Sequence, residues 1–257
     1  MSTTSQFNIS SLPALTVRFS GPADVPAVLD FYHSNQHHNV DNRGDDVFTK
    51  RTEEGRAILI LNPDNSIGMA SMSHPMDHDK KIEIGSTRAQ LEGFGLYPFV
   101  VASQIVHEFL ERPAQECFFA CIHLDNDSVT RMLNQKVGWQ FMTPSQDFAD
   151  AVGEGATKDT LRWLVASSDT FAHQARVASD AMAKGYVENR KTGEKLRLDL
   201  SAFSLAGTYQ RHVKELAHGR FGEMLENAMP LPPAEARKAF ENYMQGATYF
   251  SMLSPKP

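Results

Sequence analysis

The chain has 257 residues, of which 41% are hydrophobic and 22% charged, a globular make-up that excludes disorder as its governing state. Its formal charge of −6 argues against nucleic acid as a partner, because binding to a phosphate backbone runs on clustered Lys and Arg. Two cysteines, Cys117 and Cys121, are too few for a disulfide framework and lack zinc-ligand partners; they read as buried thiols in a reducing cytoplasm.

In chain order, residues 1–14 form a polar, flexible tail without the basic and apolar regions of a secretory signal. LTVRFS (15–20) reads as a strand. In GPADVPAVLDFYHSN, Asp24 is placed to cap a helix that carries Val25, Val28, Leu29 and Tyr32 on one face. HHNVDNRGDDVF (37–48) is a polar connection. RAILILN (56–62) and IGMASMSH (67–74) are strands joined as a hairpin by PDNS. KIEIGSTRAQ (81–90) is the next strand, and 96–111 a long helix with an apolar face. Its apolar run, LYPFVVASQIV, is interrupted by Pro98, Ser103 and Gln104, so it is not a membrane span.

ECFFACIHL (116–124) is a buried strand, DNDSVTRMLNQKV (125–137) a helix, GWQFM (138–142) and LRWLVAS (161–167) strands. This mixed order indicates one α/β or α+β domain over 15–167, built around a single sheet. Residues 168–257 form a mainly helical C-terminal extension. It contains a helix ending at Gly185, a hairpin YVENRKTGEKLRLDL turning at Lys191–Gly193, and helices over 208–228 and 233–247. The pattern fits a small second domain or a lid.

QLEGFG (90–95) joins a strand to a helix. A helix start exposes unpaired N–H groups and a partial positive charge, and glycines admit a phosphate to the backbone. Without GK[ST] or a third glycine, it is neither a Walker A loop nor a dinucleotide fingerprint. A tight turn with close helix–strand packing accounts equally for the two glycines.

Taken with its surroundings, the segment resembles the [QR]-x-x-G-x-[GA] signature of the GNAT superfamily of acyl-CoA-dependent N-acyltransferases, through Gln90, Gly93 and Gly95. The later run, from strand ECFFACIHL through DNDS and VTRMLNQKV to Gly138-Trp139, resembles the family's closing N-x-x-S…K-x-G-F segment. Counted back from Gly138, the family's asparagine falls on Asp127, beside Asn126, and its helix tyrosine on Leu133 or Asn134.

The resemblance implies a mixed, mostly antiparallel sheet flanked by helices, with a V-shaped opening between its fourth and fifth strands. Acyl-CoA, acetyl-CoA first of all, would lie there with its pyrophosphate on the loop from Gln90 through Gly93, Phe94 and Gly95. The acyl carbonyl would meet a main-chain N–H around Ile84, Gly85 and Ser86, and Asn126 would stand at the closing helix. An amine of a small molecule or a protein would attack the thioester directly, with or without a homodimer. Glu92 would repel the pyrophosphate unless its side chain points away.

For acid and base, Glu83, His123 and Tyr97 are the candidates and His74 a weaker one. The bland readings are a strand ion pair, histidines that end strands, and a packed tyrosine. His33, His37 and His38, and His74 with His78, lack defined ligand spacing, so no metal is expected. The 33–46 stretch would contact a cationic amine or simply be solvated. Arg190, Lys191, Lys195 and Arg197 would meet a CoA phosphate, an acidic partner or only water. The competing class is a non-catalytic GNAT-fold module that binds acyl-CoA or another protein; an acyl-group synthase fed by acyl-carrier protein is a third.

Overall fold

A computed structural model describes residues 8–36, 43–76, 81–111, 117–144, 146–152, 160–166 and 180–202. His37, His38, Asp77, His78 and Asp79, and the helices expected over 208–228 and 233–247, lie outside the described residues.

The strands are β1 (Ala14–Phe19), β2 (Ala57–Leu61), β3 (Ile67–Met76), β4 (Lys81–Ala89), β5 (Cys117–His123), β6 (Gln140–Met142), β7 (Leu161–Val165), β8 (Tyr186–Glu188) and β9 (Lys195–Asp199). The helices are α1 (Val25–Ser34), α2 (Asp45–Glu53), α3 (Leu96–Glu111), α4 (Asp127–Arg131) and α5 (Gln146–Val152). Among the described residues all nine strands join one sheet in the order β6-β7-β5-β4-β3-β2-β1-β9-β8. Six of its eight pairings are antiparallel; β4–β5 and β1–β9 are parallel. This is the mixed, mostly antiparallel sheet flanked by helices that the sequence implies.

Burial explains the layering. β2 is buried at every position and β3 at its first eight, as expected of strands covered on both faces. On one face α3 buries Leu96, Phe99, Val100, Val101 and Ile105 against Leu15, Val17, Ile58, Ile60 and Ile82. On the other, Val28, Phe31 and Tyr32 of α1 and Phe48 of α2 close over Ala57, Leu59, Ala70 and Met72. A third cluster joins Phe148 of α5 to Phe119 and Trp163.

Two polar positions in the apolar helix α3 bond to the sheet. Glu108 is fully buried and pairs with Arg56 Nη1 at 3.0 Å, while Ser73 donates to its other oxygen. Gln104 Oε1 accepts from Ser71 Oγ at 2.8 Å. Pro98 falls in the first turn of α3, where a missing N–H breaks no helical bond.

The structure departs from the expected element order in two places. α2 starts at Asp45, inside the stretch read as a connection, with Gly44 at its N-cap and buried Phe48 and Thr52 on its inner face. α5 lies between β6 and β7, where the sequence reading has a loop. The hairpin after Gly185 forms as expected, but it does not stand apart from the sheet. β9 runs parallel to β1, Leu198 beside Leu15, and Val187, Leu196 and Leu198 enter the same core as α3. Among the described residues, no helix is long and apolar enough to cross a membrane.

Candidate active site

The parallel pair β4–β5 holds together for only three residues, Lys81–Glu83 against Cys117–Phe119. Beyond that point β5 continues to pair with β7 as far as His123, while β4 remains on β3. The two strands therefore part, and a cleft of about 560 Å³, partly open to solvent, fills the gap. Its walls are Glu83 to Thr87 of β4, Ala120 to Ile122 of β5, Tyr97 of α3, Asn126 and Val129 of α4, and Arg43.

A bulge turns β4 at this place. The register against β3 shifts between Ala70 and Met72, so Ser86 and Thr87 together oppose Ser71. Ser86 takes a φ of +48°, a left-handed conformation that a serine holds only when its surroundings fix it. Tyr32 of α1 donates to its carbonyl at 2.6 Å, and its hydroxyl lies 3.0 Å from His74 Nε2. Arg88 locks the same corner by donating to the carbonyls of Tyr32 and Asn35 at the end of α1. Its guanidinium also lies 5.1 Å from the Tyr32 ring centre.

Charge in the cleft is concentrated on Glu83, whose buried carboxylate accepts from Arg43 Nη2 at 2.5 Å. Gly85 makes room for it, since a Cβ there would lie 3.3 Å from Glu83 Oε1. Burial holds His74 well below its usual pKa, reinforced by the positive charges of Arg43, Arg51 and Arg56, so the imidazole is neutral at pH 7. Burial also raises the Cys121 thiol far up, the Glu83 charge adding and the Arg43 charge opposing. A thiol in that state is a poor nucleophile. Tyr97 is pushed up to about 12 by burial, against a hydrogen bond with Thr87 that lowers it. Its phenol therefore keeps its proton at neutral pH and can donate.

The sequence candidates divide by position. Glu83, Ile84, Gly85, Ser86, Tyr97 and Asn126 all line the cleft. Among the described residues His123 does not: its Nδ1 is 3.5 Å from Asp125 Oδ2, and it accepts from Asp125 N at 3.4 Å, at the exposed end of β5. Gln90 is not on the cleft wall either; its Nε2 donates to Asn35 Oδ1 at 3.1 Å and ties the loop to α1. Phe94 buries its side chain in the core and leaves only its backbone for a ligand.

The loop 90–95 is anchored at both ends. Gln90 N and Leu91 N donate to Gly68 O at 2.8 and 3.3 Å, and Leu91 fills the space that a side chain on Gly68 would need. Gly93 and Gly95 have φ of +83° and +68°, conformations open to glycine at little cost. A second cavity, about 790 Å³ and open to solvent, runs from Met69, Ala89 and Leu91 past both glycines to Tyr97, Arg190 and Lys191. Tyr97, at the start of α3, lines both cavities. Glu92 is exposed and lines neither.

The closing helix settles which residue stands at the cleft. Asn126 caps α4, accepting from Val129 N at 3.3 Å and Ser128 Oγ at 3.2 Å. Asp127 instead accepts from Arg162 at 2.5 Å. After α4 the chain makes a π turn over Met132–Lys136, with Val137 N donating to Met132 O at 3.1 Å. A π turn holds one residue more than an α turn. It accounts for the one-residue offset between Asn126 and Asp127, the position that counting back from Gly138 reaches.

Sequence reasoning missed Arg43, Tyr32, Arg88 and Cys121. One signal was present: Glu83 sits between Ile82 and Ile84 and Arg88 lies further along the same strand, and buried charges require partners. The partners themselves lie 40 and 56 residues away, beyond the reach of local pattern.

No protein-family model matches the chain, and no curated protein matches it. Among solved structures it is similar to a GNAT-family acetyltransferase from Listeria monocytogenes, at 13% identity and TM-score 0.41, over 59% of this chain and 93% of that one. It is also similar to the ribosomal-protein-S5-alanine acetyltransferase of Vibrio fischeri, at 13% identity and TM-score 0.43, over 58% of this chain and 90% of that one. A third is the diaminobutyrate acetyltransferase of Paenibacillus lautus, solved with its diaminobutyric acid substrate and coenzyme A, at 7% identity and TM-score 0.43, over 60% and 94% of the two chains. These likenesses concern the fold.

Proposed function

We propose that the protein is an acyltransferase that moves an acyl group, acetyl in the first instance, from acyl-CoA to an amine. The observation that carries this reading is the parting of β4 and β5 at the Ser86 bulge, which opens a cleft that shares Tyr97 with the cavity at the glycine loop. In an unbroken sheet the ladder between those strands would occupy that space. The cleft takes the pantetheine arm, the loop Gly93–Gly95 takes the pyrophosphate, and backbone N–H groups around Ile84 to Ser86 face the thioester carbonyl.

The amine nitrogen attacks the thioester carbon. A C–N bond forms, the C–S bond breaks, and free CoA thiol leaves. Glu83 accepts the ammonium proton, its Arg43 contact yielding to the incoming cation. Tyr97, protonated at neutral pH, donates to the departing thiolate and recovers its proton from the second proton that the nitrogen sheds as the amide forms. The neutral Cys121 thiol fits direct attack rather than an acyl-enzyme. The acceptor is an amine on a small molecule or a protein.

The competing reading is a non-catalytic GNAT-fold module that binds acyl-CoA or another protein; the observation in its favour is the Arg43 contact, which engages the only carboxylate among the described residues lining the cleft. Thermal unfolding with acetyl-CoA, longer acyl-CoAs and free CoA, followed by thiol release across an amine panel, separates the two. A CoA ligand at a hundredfold excess over its Kd stabilises by about 2.7 kcal/mol. Stabilisation with thiol release supports the enzyme, and stabilisation alone supports the module. No stabilisation by any CoA species overturns the acyl-CoA site.

A further inference from the structure

The turn of the β8–β9 hairpin, a hundred or so residues after the glycine loop in sequence, lies directly on it. Asn189 Nδ2 donates to Glu92 O at 2.9 Å, and Arg190 N donates to Gly93 O at 3.2 Å. The turn is built to hold that position: Asn189 Oδ1 accepts from Lys191 N at 2.9 Å and Thr192 N at 3.3 Å, and Gly193 N closes onto Asn189 O at 2.8 Å. β9 fixes the hairpin to β1 from below.

The hairpin's cations fall into two sets. Lys195 lies 3.8 Å from Glu188 and Arg197 3.9 Å from Asp199, each beside a carboxylate of the hairpin itself. Arg190 and Lys191 stand instead on the wall of the cavity that contains Gly93 and Gly95. Arg190 Nη2 is 3.9 Å from where a Cβ on Gly95 would be. Among the described residues no carboxylate pairs with either. In a chain of net charge −6, two unmatched cations converging on one cavity mark a place for an anion.

We infer that Arg190 and Lys191 form the cationic half of the site for the phosphate groups of the nucleotide end of CoA, opposite the glycine loop. The inference rests on the acyl-CoA reading above and gives the hairpin beyond residue 185 a role in it. The loop contributes backbone donors on one side, and the turn contributes a guanidinium fork and an ammonium on the other. The chemistry is shared by a pyrophosphate and a ribose 3′-phosphate, and the ligand series below distinguishes them.

The test is calorimetric titration of the full chain with CoA, 3′-dephospho-CoA and a pantetheine thioester that carries no phosphate. Wild type is compared with R190Q/K191Q and with R190K. The double variant is expected to weaken CoA at least roughly tenfold and to flatten the salt dependence of its Kd, leaving the pantetheine thioester unchanged, while R190K retains most of the affinity. If dephospho-CoA loses as much as CoA, the pair serves the pyrophosphate; if it loses little, the pair serves the 3′-phosphate. Equal CoA affinity in wild type and double variant overturns the inference and leaves the acyl-CoA reading standing. Equal loss for CoA and the pantetheine thioester also overturns it, because the turn would then act through the fold. A wild-type protein that binds none of the three overturns both.

Discussion

At the scale of single residues, Glu83 and Tyr97 line the cleft, and His74 stands behind its wall, within 3.0 Å of the Ser86 hydroxyl. Glu83 is the group on which chemistry depends in the proposed reaction. Glu83→Gln keeps the shape and an acceptor for Arg43 but removes the base. It is expected to lower kcat by on the order of 10²-fold while CoA affinity stays within about twofold. Steady-state kinetics beside titration calorimetry decide it, and an unchanged kcat assigns Glu83 to structure alone.

His74 gives a prediction in stability rather than rate. Its folded pKa lies well below 6.5, so below pH 6.5 the unfolded chain takes up a proton that the folded chain refuses. Stability from this group is therefore complete above pH 6.5 and lost as pH falls below it. Urea unfolding at about pH 7.5 and about pH 5.0 should show that loss in wild type and a smaller one in His74→Gln; parallel losses would refute the assignment.

Tyr97 has the opposite sign. With its pKa at about 12 against the ordinary 10, it withholds a proton that the unfolded chain gives up, so stability falls as pH rises from 10 towards 12. Tyr97→Phe should flatten that alkaline decline in the same unfolding assay, and an unaltered slope would remove Tyr97 from the partly buried, protonated role. None of these three states was legible in the sequence. Glu83, His74 and Tyr97 were visible as titratable side chains, but their partners come from elements remote in the chain.

At the scale of elements, local pattern and tertiary demand diverge where the site is made. β2, β3, β4 and the glycine loop were readable because apolar runs bounded by PDNS and QLEGFG carry their own punctuation. α2 was not, because DDVFTKRTE commits only Phe48 and Thr52 to the core, too few to show a helical period. The Ser86 bulge has no local signal at all: a serine at positive φ is selected by Tyr32, His74 and the β3 register, none of them adjacent. The π turn over Met132–Lys136 is visible only as an offset of one residue.

The docking of the hairpin on the glycine loop gives the element-scale prediction. A Cβ on Gly93 would lie 2.8 Å from Asn189 Oδ1, whereas one on Gly95 meets nothing nearer than Arg190 Nη2 at 3.9 Å. Both glycines have positive φ, so Ala at either strains the loop by roughly 1 kcal/mol. Only Gly93→Ala also pushes the turn away. Amide hydrogen exchange over 186–199 is expected to speed up at least about tenfold in Gly93→Ala and much less in Gly95→Ala. Equal acceleration would mean that the hairpin responds to loop strain rather than to contact.

At the scale of the whole molecule, the hairpin carries the sheet past residue 168. The sequence changes character near residue 168, and on composition alone the boundary falls there. The sheet does not follow it. β9 occupies the edge of β1, and Val187, Leu196 and Leu198 share the core of Leu15, Val17 and α3. An exposed β1 edge would present unpaired backbone groups and a row of apolar side chains, a template for aggregation. Burial of those three side chains amounts to several kcal/mol at about 1.5–3 kcal/mol for each fully buried aliphatic, a large share of the 5–15 kcal/mol that a domain has in total. A chain ending at residue 202 should therefore unfold in one calorimetric transition at a clearly higher temperature than a chain ending at 166, and the shorter chain should self-associate on heating. If the two unfold at the same temperature, the β1–β9 pairing contributes nothing to the fold, and the hairpin is an appendage rather than the edge of the sheet. The same pair of chains separates stability from ligand binding. At a temperature where both are folded, loss of CoA affinity in the shorter one reports on the hairpin's place at the glycine loop.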